Sequence, residues 1–278
     1  MKRICVIGNG YVGQAMVKLL NDHYSVSIKE IEDNYDHVNQ SDLAIICVPT
    51  EMREDGSCDT TIVSKVIRES NAPYYLIKST VSPGTTEALS LIYNKKIVFS
   101  PEYIGEGKYP TPHWNGIPHP TDMKLHEFQI FGGKREYTNY MIDIFSPVLG
   151  PYCQYIQTDS TTSELVKYME NSYLATKVAF CHEFSRIAKQ FKCDYKEIRE
   201  LFLLDKRCER GSTIVFENKL GYGGKCLPKD ISAIYQAAKT EGFKSNFLKQ
   251  VMKTNEELRN EKIYVAINNQ PGFKLKVD

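Results

Sequence analysis

Arg3-Ile4-Cys5-Val6-Ile7-Gly8-Asn9-Gly10-Tyr11-Val12-Gly13 decides the fold. An extended apolar run enters three closely spaced glycines, and the chain then continues as a helix. In that context a G-x-G-x-x-G pattern has physical meaning, because it places a tight turn between the first strand and the first helix. Gly8 permits the turn, Gly10 lets a pyrophosphate approach the main chain, and Gly13 lets the helix pack on the strand. The phosphates of a dinucleotide then lie against unpaired N–H groups and the positive end of the helix dipole, with Tyr11 and Val12 in the same turn.

The second strand ends at Glu30, at the spacing where a carboxylate hydrogen-bonds the adenosine ribose hydroxyls. An acid there repels a 2′-phosphate, which favours NAD over NADP. Lys29 is adjacent, and strand alternation sends its side chain to the opposite face. Further along, Leu43 to Val48, Tyr74 to Lys78, Lys96 to Ser100 and Phe128 to Phe131 read as strands beside Arg3 to Gly8 and Ser25 to Glu30. Most are continuously apolar, as strands covered on both faces are. Strands alternating with helical stretches predict an α/β fold: a Rossmann-like doubly wound parallel sheet over residues 1–158.

From Thr161 the pattern changes. Ser163 to Gln190 keeps a helical period through Leu165, Met169, Leu174, Val178, Cys181, Phe184 and Ile187, without glycine or proline, which predicts one long helix. Helices are also expected over Tyr195 to Leu203, Ile231 to Lys239 and Asn246 to Ile267. Residues 159–278 therefore read as an all-helical domain.

Lys and Arg number 35 against 34 Asp and Glu, so the net charge is +1, and no run of like charge suggests a nucleic-acid or membrane partner. Met1 to Leu20 fits neither a signal peptide nor a membrane span. The eight cysteines lack metal-ligand or disulfide-framework spacing, as in a reducing compartment. A cytoplasmic enzyme without a metal is expected.

Gly221-Tyr222-Gly223-Gly224-Lys225-Cys226-Leu227-Pro228-Lys229-Asp230 is the segment that carries chemistry. Three glycines in four residues make a main chain with little side-chain cover, able to lie against a ligand. They present one thiol at the start of a helix beside Lys225 and Lys229, a setting that favours the thiolate. Lys167 and Asn171, four apart on the long helix, share a face.

This segment resembles the nucleophile loop of the UDP-glucose/GDP-mannose dehydrogenase family. Other motifs of that family follow the same order: Gly8 to Gly13, Lys78-Ser79-Thr80-Val81-Ser82-Pro83-Gly84-Thr85-Thr86, Ser100-Pro101-Glu102-Tyr103-Ile104-Gly105-Glu106-Gly107, and Glu164-Leu165-Val166-Lys167-Tyr168-Met169-Glu170-Asn171. The resemblance implies an NAD-dependent oxidation of a nucleotide-sugar primary alcohol, UDP-glucose foremost, to a carboxylate through a thiohemiacetal and thioester on Cys226. It implies that Lys167 stabilises the oxyanion with help from Asn171, and that a glutamate activates the hydrolytic water, Glu102 with Thr80 and Asp230 or else Glu106. Pro49, Thr50, Thr80, Glu106 and Lys229 are implied to line the cofactor. Glu102, Tyr103, Ile104, Lys167, Asn171, Gly223 and Arg210 are implied to line the substrate, Arg210 reaching across a homodimer built through the helical domain.

Two departures stand out. Family members continue beyond the long helix into a second α/β domain, which this sequence does not contain. The stretch Gly107 to Thr121, with four prolines, two histidines and Trp114, is longer than its family counterpart. Two other readings fit parts of the pattern: a two-electron β-hydroxyacid dehydrogenase, which needs no thiol, and a non-catalytic NAD-binding homodimer.

Overall fold

The structure is a computed structural model that describes residues 1–30, 34–104, 122–216 and 219–268, the last eight as main chain only. It divides into two compact units, Met1–Tyr168 and Met169–Asp278.

The first unit is built on β1 (Arg3–Ile7), β2 (Ser25–Lys29), β3 (Leu43–Ile46), β4 (Tyr75–Ile77), β5 (Ile97–Phe99), β6 (Phe128–Gly132) and β7 (Gln154–Thr158). They form one sheet in the order β2-β1-β3-β4-β5-β6-β7. The first five strands are parallel, with Val6 opposite Ile28 on one side and Ile45 on the other. β6 runs antiparallel to β5, and β7 follows β6 in parallel. The fold is thus α/β with a mostly parallel Rossmann-like sheet, in which the last two strands reverse direction.

Alternation sorts the central strands onto two cores. Cys5, Ile7, Ala44, Ile46, Tyr75 and Ile77 pack with Val63, Val66 and Ile67 of α3 (Thr61–Glu69) and Leu89 of α4 (Thr85–Tyr93). Ile4, Val6, Leu43, Ile45 and Leu76 pack on the other face, with Met16, Leu19 and Leu20 of α1 (Tyr11–Leu20) and Met141, Ile144 and Phe145 of α5 (Arg135–Leu149). Residues covered on both sides explain why these strands read as unbroken apolar runs. The six expected strands occur at their expected places. β7 was not anticipated, because Gln154-Tyr155-Ile156-Gln157-Thr158 is an edge strand, partly exposed, whose glutamines mask its apolar content. A four-residue α2 (Asp36–Asn39) lies between β2 and β3.

The long helix α6 (Ser160–Gln190) starts in the first unit and continues in the second. The second unit adds α7 (Tyr195–Phe202), α8 (Cys226–Thr240) and α9 (Asn246–Asn268). The described residues of this unit are helical or loop, as its periodicity predicts. Tyr222, Ala175, Ala179, Ile231 and Val251 form its apolar core.

The face that α6 buries is not its most apolar one. Glu164, Tyr168, Asn171, Ala175, Ala179 and His182 are buried, whereas Leu165, Met169, Tyr173, Phe180, Phe184 and Ile187 are exposed, Met169 by 77%. The residues that give the helix its period therefore form, in large part, an outward-facing stripe.

Candidate functional site

In the first unit the carboxyl ends of β1 and β3 meet where the strand order reverses, the place where open α/β sheets bind ligands. Gly8 sits at φ +91°, and a Cβ there would lie 2.6 Å from the Cys47 carbonyl oxygen. A Cβ on Gly13 would lie 1.9 Å from the Gly8 carbonyl oxygen. These two glycines are demanded by the packing of turn, helix and neighbouring strand. Gly10 is not: its φ is −73° and a Cβ would have nothing within 4 Å. Gly10 leaves space above the first turn of α1, which has no side-chain cap, so its amides face that space.

Lys29 and Glu30 part as alternation predicts. Lys29 is buried, its Nζ donating to the Glu30 carbonyl oxygen at 2.8 Å and lying 4.4 Å above the Tyr35 ring, while Glu30 is exposed at the end of β2. An open glycine turn, uncapped helix amides and a carboxylate at the ribose position together fit a dinucleotide without a 2′-phosphate.

Next to this turn, the Thr50 hydroxyl donates to the Thr80 carbonyl oxygen at 2.8 Å, and the Cys58 thiol donates to the same oxygen at 3.5 Å. The structure thus joins two residues that the sequence had placed at the cofactor. Pro49 is exposed beside them, as is Tyr11, and Val12 is half-buried.

Glu102 is buried between a main-chain turn and a lysine. Its Oε1 accepts the main-chain N–H groups of Tyr103 and Ile104 at 2.8 and 3.0 Å, and its Oε2 lies 3.0 Å from Lys78 Nζ. Lys78 also donates to Ser100 Oγ at 3.2 Å and to the Pro101 carbonyl oxygen at 3.1 Å. Burial pushes the Glu102 carboxyl up, but the charge and hydrogen bond of Lys78, with the two amides, outweigh it and hold the group below the usual carboxylate range. Burial also pushes the Cys47 thiol strongly up, against the pull of Lys78, so it stays protonated. Lys167 Nζ stands 5.2 Å from the centre of the Tyr103 ring, which brings together two of the expected substrate residues.

Glu164, fully buried, accepts the N–H groups of Gly84 and Thr86 at 2.6 and 2.9 Å. It caps the start of α4 from α6. Burial pushes its carboxyl up to about 7, the hydrogen bonds from Thr86 and Gly84 working the other way.

In the second unit, Gly221 and Gly224 adopt φ +73° and +78°, left-handed values that glycine reaches without strain. The chain then enters α8 at Cys226, with Pro228 in the first turn, where its missing N–H costs no helix bond. Asp230, one turn on, is buried. It accepts a hydrogen bond from Asn171 Nδ2 at 2.5 Å and pairs with Lys229 Nζ at 2.6 Å. Asn171, Lys229 and Asp230 are therefore one linked cluster at the start of the Cys226 helix. Arg210 is exposed and forms a two-pronged pair with Glu200, at 2.8 and 3.2 Å. Gly223 faces the guanidinium of Arg259, where a Cβ would lie 2.5 Å from Nη1.

Glu106 and the stretch Gly107 to Thr121, with Trp114, lie outside the described residues. Among those described, no group of three or more His, Cys, Asp or Glu is arranged to hold a metal, and no helix is long and apolar enough to cross a membrane. Sequence reasoning assigned no role to Lys78 or Glu164. For Lys78 the available signal was a charge closing an apolar strand; Glu164, on the face of α6 that lacks the apolar period, left none.

Two models of one family match the chain. The NAD binding domain of the UDP-glucose/GDP-mannose dehydrogenase family matches residues 18–112 and its central domain matches residues 161–257. The UDP-glucose 6-dehydrogenase TuaD of Bacillus subtilis is 29% identical over 235 residues, which cover 80% of this chain and 48% of that protein. The UDP-glucose 6-dehydrogenase YwqF of the same organism is 29% identical, over 85% of this chain and 53% of that protein. This chain spans about half the length of these curated relatives. Among solved structures, a UDP-glucose dehydrogenase from Pyrobaculum islandicum superposes with a TM-score of 0.78 at 24% identity, covering 92% of this chain and 68% of that one. A 3-hydroxyisobutyrate dehydrogenase from Mycobacterium tuberculosis superposes with a TM-score of 0.65 at 14% identity, covering 96% and 94%. These likenesses show the fold.

Proposed function

Because the chain belongs to the UDP-glucose/GDP-mannose dehydrogenase family and carries its NAD-binding domain, we propose that it oxidises the primary alcohol of a nucleotide sugar, UDP-glucose foremost, to the carboxylate. NAD, when bound, supplies the hydride acceptor for both oxidations. The cofactor turn is assigned to Gly8, Gly10, Tyr11, Val12 and Gly13, with Glu30 on the ribose hydroxyls and Pro49, Thr50, Thr80, Glu106 and Lys229 nearby. Residues 1–158 form the cofactor domain, and residues 159–278 the substrate and dimerisation domain.

The thiolate of Cys226 adds to the aldehyde carbon, forming a C–S bond that retains the intermediate as a thiohemiacetal; its oxidation leaves a thioester. Water then cleaves that C–S bond, releasing the carboxylate and returning the thiol. Lys167 and Asn171 stabilise the oxyanion of the adduct. Glu102, with Thr80 and Asp230, draws the proton from the hydrolytic water, and Lys78 keeps Glu102 in the accepting, ionised form. Tyr103, Ile104, Gly223 and Arg210 contact the substrate, Arg210 after exchanging its exposed Glu200 partner.

The observation that carries this reading is the Asn171–Asp230 hydrogen bond one turn beyond Cys226. It buries two polar side chains against each other at the start of the nucleophile helix. A reaction without a covalent step has no need of a thiol there. The test is NADH absorbance with purified protein and a panel of UDP- and GDP-sugars. Two NADH per acid formed, and no acid from Cys226→Ala, are expected. One NADH per turnover would instead favour the β-hydroxyacid-type reaction, whose enzymes share this fold. No NADH from any sugar would leave a cofactor-binding module.

The exposed stripe of α6 supports a homodimer, since a second copy covers it with an identical face. None of the eight cysteines is in a disulfide, which suits the cytoplasm.

A further inference from the structure

Four hydrogen bonds in the second unit converge on two residues of the nucleophile loop. His182 of α6 accepts the Gly221 N–H at Nδ1, 2.9 Å away. Asn255 of α9 engages both sides of the next residue: its Oδ1 accepts the Tyr222 N–H at 2.7 Å and its Nδ2 donates to the Tyr222 carbonyl oxygen at 3.2 Å. Arg259 Nη1 donates to that same oxygen at 3.1 Å. His182, Asn255 and Tyr222 are buried, so each unmade bond would leave a polar group without water to replace it. The Tyr222 ring is in the unit's apolar core, among Ala175, Ala179, Ile231 and Val251.

The loop accommodates these side chains only because it is glycine-rich. A Cβ on Gly221 would lie 2.6 Å from Asn255 Oδ1. Beyond Tyr222 only Gly223, Gly224 and Lys225 separate this anchored point from α8, whose first residue is Cys226. Gly224, at φ +78°, is a conformationally permissive joint. A segment that short transmits the position of its anchor, while its glycines on their own do not hold one. Cys226 therefore needs support from outside the loop.

We propose that His182 and Asn255 are positioning residues, which grip the main chain of Gly221 and Tyr222 from two helices and thereby set where the Cys226 sulfur stands. His182 acts as an acceptor at Nδ1; burial disfavours its charged form, with the Ile214 main chain working the other way. Asn255 substitutes for a paired strand, satisfying one donor and one acceptor of the same residue. The inference rests on the reading of Cys226 as the nucleophile; His182 and Asn255 act on it through the main chain of Gly221 and Tyr222.

The test uses the purified full chain as wild type, His182→Leu, His182→Asn, Asn255→Leu and Asn255→Asp. Three quantities are read: hydrogen exchange of the Gly221 and Tyr222 amides, the rate of Cys226 alkylation by iodoacetamide, and kcat and KM with the sugar that yields NADH. In both leucine variants loop exchange should rise roughly tenfold, the equivalent of one lost hydrogen bond, while β1 to β5 keep their protection. Alkylation of Cys226 should shift at least about threefold, and kcat should fall roughly tenfold with KM little changed. His182→Asn, whose amide oxygen can accept the Gly221 N–H, should restore all three quantities. Asn255→Asp, which keeps the acceptor and loses the donor, should lie between wild type and Asn255→Leu.

Unchanged alkylation and kcat in both leucine variants would overturn the proposal, as would failure of His182→Asn to differ from His182→Leu. Alkylation needs neither sugar nor NAD. If no sugar yields NADH, the proposed reaction fails while the alkylation and exchange results still decide this inference.

Discussion

Lys78 Nζ stands 3.0 Å from Glu102 Oε2 at the carboxyl edge of the sheet, with both side chains almost completely removed from solvent. The strand order puts the ends of β4 and β5 side by side, so a lysine one residue beyond one strand meets a glutamate three residues beyond the other. Charges buried in this way are tolerated only together. Glu102→Gln or Lys78→Met alone should therefore destabilise the protein by about 3–5 kcal/mol, and the double variant by clearly less than the sum. Urea unfolding of the four proteins measures the coupling. Additive losses would mean that the pair is not a unit.

The two buried glutamates should give opposite responses to pH. Glu102 is held below its unfolded value, so the stability it contributes is present above about pH 4.3 and is lost as pH falls through its lower folded value. Glu164 is pushed up to about 7. The folded state thus keeps its proton where the unfolded chain has released it, and its contribution is full below about pH 4.3 and lost as pH rises through about 7. Glu164→Gln cannot ionise, so its Tm should gain on the wild type as pH rises from about 4.5 to about 7.5, a range that runs from just above the unfolded value of about 4.3 to just above the folded value of about 7. A narrowing gap over that range would show that the Gly84 and Thr86 amides outweigh burial.

Gly10 and Gly13 should separate cofactor binding from folding. Gly13→Ala forces a Cβ against the Gly8 carbonyl oxygen and should cost about 3 kcal/mol or more. Gly10→Ala meets nothing and needs no unusual φ, so its stability should stay within about 1 kcal/mol of wild type. Its affinity for NAD should nevertheless fall about tenfold or more, because the methyl group occupies the approach of the pyrophosphate. Calorimetric titration with NAD reads the difference. Unaltered affinity in Gly10→Ala would move the pyrophosphate away from this turn.

The outward stripe of α6 should hold the homodimer. Phe180 and Phe184 are exposed, with ring centres 5.5 Å apart. Phe180→Asp combined with Phe184→Lys should convert a two-chain mass in light scattering to that of one chain, without loss of helical circular dichroism. A wild type that already runs as a single chain would remove the dimer.

Much of the fold was legible because burial of both sheet faces writes itself into unbroken apolar strands, and because the glycine turn from Gly8 to Gly13 leaves few alternatives for the main chain. The edge strand β7 was not legible, since a half-exposed strand needs no such run. The proposed nucleophile stood out in the sequence as an unusual residue in an unusual setting, Cys226 after three glycines. The partners that hold those residues were hidden, because Lys78, Glu164, His182 and Asn255 act on main-chain groups or buried charges far away in sequence, and such bonds leave no periodic mark.

Local order and burial pattern thus determined the doubly wound sheet, the helical second half, the NAD-binding turn and the thiol at a helix start. Only the tertiary structure decided that α6 buries a stripe mixing polar groups with alanines and exposes a more apolar one, and that Glu102 is paired with Lys78. It alone placed His182 and Asn255 on the loop before Cys226. The physical reason is that a sequence period counts apolar residues, whereas the choice of buried face depends on which donors and acceptors the neighbouring chain presents to satisfy polar groups away from water.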